Sequence, residues 1–186
     1  MKAKIPAGVS YDLIVGTGAI VTWWSRVEGL LIYSLMSLRS YPQCSRLKER
    51  ERFPVMTGKL IEQWANALRL VSTETGITPA EIDTFETELS TCAELRNKLV
   101  HYFWPYGAGT SAERLTLQSV KTKRGAHDTM ELRTYEVDAA SLGALNDRIC
   151  ELYHDMLPLM MRIVAALVRG AAGSTVSIGV KLETRN

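Results

Sequence analysis

The chain has 186 residues, enough for one domain that buries a real core, with 46% hydrophobic and 23% charged residues as in ordinary globular proteins. Its net charge of +2 does not demand nucleic acid, so any RNA-binding surface must come from local clusters. The isolated Cys44, Cys92 and Cys150 have no zinc-type spacing and fit a reducing cytoplasm; no structural metal and no cofactor are expected.

Residues 1–16 read as an irregular lead-in. Lys2 and Lys4 are followed by Pro6, Gly8, Ser10 and Asp12, which interrupt any apolar run, so no signal peptide is expected. A first helix is predicted from about Ala19 to Leu38, with Trp23, Val27, Leu30, Leu31, Ser34 and Leu38 at three- and four-residue steps. Residues 39–54 carry a charge run between Pro42 and Pro54, either a loop or a solvated turn or two of helix. A second helix is predicted over Thr57 to Thr75, with Leu60, Ile61, Trp64, Ala67, Leu68 and Val71 inward and Gly76 as its C-terminal cap.

The third helix has the clearest start. Thr78-Pro79-Ala80-Glu81 is a capping box with proline at the first helical position. Ile82, Phe85, Leu89, Cys92, either Leu95 or Arg96, and Leu99 continue the stripe, and Pro105 with Gly107 and Gly109 ends it after Trp104. Arg114 to Thr122 and Thr129 to Val137, rich in Thr, Val and Leu around the turn 123–128, predict a β-hairpin. Its first arm loses alternation between Leu117 and Val120, which suggests a bulge or a wrong boundary. Asp138 caps a fourth helix from Ala139 to about Met156, and Pro158 kinks it or divides it from another ending near Arg169. The expected organisation is a single domain over 1–169 and a tail over 170–186, disordered or a lone strand. The longest apolar stretch, Met156 to Val168, holds Pro158 and Arg162 and is too short to span a membrane.

The chemistry concentrates in Leu95-Arg96-Asn97-Lys98-Leu99-Val100-His101-Tyr102-Phe103-Trp104. Arg96 is a fixed cation suited to phosphate oxygens, and His101 can take or give a proton near neutral pH. Asn97 and His101, four apart, share a helix face. Arg96 and His101 stand about 140° apart around the axis, so a straight helix does not aim both at one atom.

Arg96-Asn97, three residues and then His101, with an apolar pair before the histidine and aromatics after it, resembles the signature of the HEPN superfamily. The likeness covers the helix from about Thr78 to Trp104; elsewhere it is a matching order of elements. It implies a mainly α fold, a four- to five-helix bundle with a β-hairpin inserted before the C-terminal helix. It also implies a cytoplasmic homodimer in which two motif helices share one cleft, with Tyr102, Phe103 and Trp104 at its rim or interface.

The activity the resemblance implies is metal-independent RNA cleavage in a toxin–antitoxin or antiviral defence setting, with an antitoxin protein as a possible partner. His101 would move the proton of a ribose 2′-OH or of the leaving 5′-oxygen, Arg96 would stabilise the phosphate charge, and Asn97 would orient one of them. Expected products are a 2′,3′-cyclic phosphate and a 5′-hydroxyl. Glu28 and Tyr102 are accessory candidates; Lys98, Lys121, Lys123 and Arg124 are candidate RNA contacts. Simpler readings stand beside these. Arg96 pairs with Glu88, Glu94 or another carboxylate; Glu28 is a surface acid; the basic turn is solvated; His154-Asp155 is a surface pair. The alternative function is a non-catalytic HEPN-like dimeric binding or interaction module.

Overall fold

The computed structural model describes residues 11–44, 56–101, 114–123 and 129–173. Helix α1 (Tyr11–Leu38) is followed by a 3₁₀ turn (Pro42–Cys44), α2 (Thr57–Leu70), the single turn α3 (Ser72–Thr75) and α4 (Pro79–His101). The hairpin β1 (Arg114–Lys123) and β2 (Thr129–Asp138) leads into α5 (Ala139–Gly173). The chain is a mainly α bundle with a two-stranded hairpin before its last helix, as expected.

Helix α1 starts eight residues earlier than predicted. Residues 11–18 are helical despite Gly16 and Gly18, because Leu13 and Ile20 extend the buried stripe that continues through Trp24, Val27, Leu31, Leu35 and Leu38. Steps of three, four and seven hold this stripe on one face, and α1 lays it chiefly against α5. Each fully buried Leu or Ile contributes about 1.5–3 kcal/mol of transfer free energy, enough to outweigh two glycines at about 1 kcal/mol each.

The expected single helix over 57–75 is divided. Val71 leaves helical geometry (φ −119°, ψ 21°), one further turn follows, and Gly76 closes it with φ 66°. The break keeps Val71 and Ile77 in the core, and the buried Thr75 hydroxyl donates to the Val71 carbonyl at 2.9 Å. Gly76 is thus the left-handed cap, a conformation open to glycine at no steric cost.

The capping box of α4 forms as read. Thr78 N–H donates to Glu81 Oε2 at 2.8 Å, and Glu81 N–H donates back to Thr78 Oγ1 at 3.2 Å. Arg162 of α5 reaches the same corner, donating to Glu81 Oε1 at 2.7 Å and to the Gly76 carbonyl. The start of α4 is thereby fixed to the last helix.

The hairpin pairs without interruption from Arg114↔Asp138 to Lys123↔Thr129. The suggested bulge is absent from these ten pairs, and the slipped alternation of the first arm reflects side-chain choice rather than backbone register. Leu117, opposite Tyr135, is fully buried. Asp138 caps α5 by accepting from Ser141 N–H at 2.7 Å. Pro158 neither ends nor divides that helix, which runs on to Gly173 and takes in residues 170–173 of the expected tail. Pro158 is exposed while Leu152, Met156, Leu159 and Ile163 are buried, so packing holds α5 together across the missing hydrogen bond. Residues 174–186 and the whole charge run at 46–52 lie outside the described residues. Among the described residues no helix is long and apolar enough to cross a membrane.

Candidate functional site

Arg96 and Asn97 lie in the last two turns of α4, both half-buried. Arg96 Nη1 donates to Asn97 Oδ1 at 3.1 Å. Arg96 Nε is buried and has no hydrogen-bond acceptor among the described residues. Among the described residues no carboxylate pairs with the guanidinium. The two nearest acids in sequence are committed elsewhere: Glu88 accepts from Arg148 of α5 at 3.4 Å, and Glu94 pairs with Lys98 at 2.8 Å. The Lys98 hydrogen bond holds the Glu94 carboxyl below its ordinary range. The simpler reading in which Glu88 or Glu94 occupies Arg96 therefore does not hold.

A buried donor without a partner costs about 1–3 kcal/mol. That cost falls on every state in which no acceptor reaches Nε, so an oxyanion arriving at the Nε–Nη2 edge is favoured by its removal. This edge is one of the two forks by which a guanidinium grips two oxygens at once, and Asn97 takes up the other side at Nη1. The pair consequently presents a fixed positive charge with a set orientation and, at Nε, a buried donor still to be satisfied.

Lys98 faces differently. Two residues from Arg96, it stands about 200° around the helix. Its ammonium sits 4.7 Å from the centroid of Tyr135 in β2 as well as on Glu94. There it borders a cavity of about 270 Å³ beneath the hairpin, lined by Leu95 and Leu99 of α4, Leu117 and Tyr135 of the strands, and Leu142 of α5. Lys98 is thus held by protein groups on the hairpin side, away from Arg96. Sequence reading missed this cavity; its only signal was the apolar Leu117 and Tyr135 among polar strand neighbours.

Glu28 does not join Arg96. It is half-buried and accepts a hydrogen bond from Thr57 Oγ1 at 2.6 Å, the first residue of α2. It ties α1 to the start of α2, near backbone N–H groups whose partial positive charge suits a carboxylate. His101 is the last residue of α4, which brings its backbone to the helix end as expected; its side chain lies outside the described residues, as do Tyr102 and Arg124. Lys121 and Lys123 fall at the far end of β1, in register with Glu131 and Thr129. Among the described residues no group of three His, Cys, Asp or Glu side chains is placed to hold a metal ion. The backbone places Arg96, Asn97 and His101 within the last two turns of one helix, and Glu28 on another helix with its own partner. Comparison of the chain with protein-family models, with curated proteins and with solved structures finds no match.

Proposed function

We propose that this chain is a metal-independent RNA endonuclease of HEPN type. The observation that supports it most is the state of Arg96: a half-buried guanidinium near a histidine-bearing helix end, with no carboxylate partner and an unfilled buried donor among the described residues. In this reading a scissile phosphate docks on the Nε–Nη2 edge. His101 takes the ribose 2′-OH proton or protonates the departing 5′-oxygen, and the 2′-oxygen displaces the 5′-oxygen at phosphorus. Arg96 stabilises the charge that grows on the non-bridging oxygens, and Asn97 holds the guanidinium in place. The angular separation of Arg96 and His101 on one helix is met by a second copy of α4 across a two-fold axis, so the working unit is a homodimer. A toxin or antiviral defence role, restrained by an antitoxin protein in the cytoplasm, is the setting this activity suits.

The Arg96–Asn97 hydrogen bond and the partial burial of both also suit a module that holds RNA without cutting it. The two readings separate in one experiment. Purified protein is incubated with a mixed pool of tRNA and single-stranded RNA in EDTA, beside Arg96→Ala and His101→Ala proteins whose folding is checked by circular dichroism. The expected result is cleavage to 2′,3′-cyclic phosphate ends by the parent protein, and a loss of about 100-fold or more in each variant. Cleavage retained in both variants overturns the assignment. RNA bound but uncut by the parent protein transfers it to the binding module.

A further inference from the structure

The packed pair α1 and α5 carries a second group of chemically active side chains, remote in sequence from α4. Trp23 of α1 is half-buried, with its ring centroid 5.6 Å from Tyr153 and 6.1 Å from His154 of α5. Tyr153 and His154 lie edge to face at 5.4 Å. Arg26, exposed and one helical turn beyond Trp23, sets its Cζ 4.5 Å from the centroid of the Trp23 ring. Three rings and a guanidinium therefore share one patch about 6 Å in radius around the indole. None of the four side chains makes a hydrogen bond or ion pair with a described residue. The exposed acids Glu151 and Asp155 sit within four residues of His154 on the same helix, yet neither pairs with Arg26 or His154.

The chemistry of the patch selects its ligand. A cation, such as a quaternary ammonium, is disfavoured because Arg26 already occupies the indole π-face that would attract it. A purely apolar ligand would strip water from the guanidinium, imidazole, phenol and indole N–H and return no hydrogen bond. A flat ring joined to an anion satisfies both halves. The ring lies against His154 and Tyr153, and the anion takes the outward edge of Arg26, whose orientation is fixed in advance by its stack on Trp23. Base stacking on aromatic side chains combined with cationic contacts is the physical basis of sequence-tolerant binding to single strands.

We infer that Trp23, Arg26, Tyr153 and His154 form a binding site for a nucleotide unit, with phosphate on Arg26 and the base against the Tyr153 and His154 rings. The unit is either a free mononucleotide or part of a single strand. The site uses no residue of α4 and does not depend on RNA cleavage.

The test is fluorescence anisotropy with a short labelled thymidylate oligomer, which lacks the 2′-OH that cleavage requires and so reports binding whether or not the chain is a nuclease. Parent protein, Arg26→Ala, His154→Ala and Tyr153→Leu are compared at low salt, with uridine monophosphate and inorganic polyphosphate as competitors. Arg26→Ala is expected to weaken the oligomer and polyphosphate alike. His154→Ala and Tyr153→Leu are expected to weaken the oligomer by about threefold to tenfold and to leave polyphosphate unchanged. Displacement by the mononucleotide at matching affinity identifies the free ligand; displacement by oligomer alone identifies a strand; both support the site. Unchanged oligomer affinity in Arg26→Ala and His154→Ala, with unchanged melting temperature, overturns it. So does an equal loss of oligomer and polyphosphate in the ring variants.

Discussion

Replacing Glu81 by Gln isolates the charge at the corner where α4 begins. Glutamine serves in a capping box, so the bond from Thr78 N–H is kept while the ion pair with Arg162 is lost. Arg162, then Thr78, hold the Glu81 carboxyl at about 2 instead of 4.5. That depression would stabilise the fold by about 3 kcal/mol if unscreened. Glu81 and Arg162 are 41% and 39% exposed, so solvent screening brings the expected contribution to about 1 kcal/mol. Because the folded-state value is the lower one, the contribution is fully present above pH 4.5 and is lost as pH falls toward 2. Urea denaturation of parent and Glu81→Gln proteins measures it, since urea adds no ionic screening. The expected gap is about 1 kcal/mol at pH 7 and less than half of that at pH 3. A gap that is the same at both pH values, or zero at pH 7, refutes the reasoning.

Other outcomes follow from the fold. Gly18→Ala should stabilise the chain by about 0.5–1 kcal/mol in the same assay, because Gly18 is exposed inside α1 and an added Cβ meets no atom within 4 Å. Leu31→Ala should destabilise it by about 2–5 kcal/mol, since Leu31 is fully buried at the centre of the α1 stripe. Native protein treated with a thiol reagent should modify Cys150 before Cys44 and Cys92, both buried; burial also raises the Cys92 thiol above its ordinary pKa and starves it of thiolate. Mass mapping of the first modified cysteine checks the order.

The parts of this fold that were legible in the sequence are those fixed by neighbours a few residues away. The Thr78–Glu81 box, the Gly76 cap, the Asp138 cap and the hairpin arms all depend on local chemistry, and all appear where the residues put them. The misread boundaries depend on distant partners. Residues 11–18 look irregular until α5 covers Leu13 and Ile20, and Pro158 looks like a break until the core holds the helix on both sides of it. The site divides in the same way. Spacing placed Arg96, Asn97 and His101 on one helix end, but it also offered Glu88 and Glu94 as partners for Arg96. Glu88 is taken by Arg148, 60 residues away, which only the tertiary structure could assign, whereas Glu94 is taken by Lys98 four residues on, a local pair that the spacing already allowed. The Trp23–Arg26–Tyr153–His154 cluster joins the two ends of the described chain, and no local pattern could announce it.

The packing of α1 on α5 also sets an order of events during synthesis. The first helix finds its main partner in α5, so although α2 and α4 also touch it, the part of its apolar stripe that faces α5 stays uncovered until residues beyond Ala139 have been made. At roughly 5–20 residues per second that interval is several seconds or more. The α1–α5 contact therefore forms late, and contacts so distant in sequence slow folding. A nascent chain stalled before Ala139 leaves the α5-facing side of α1 exposed to solvent, apolar surface of the kind that chaperones bind.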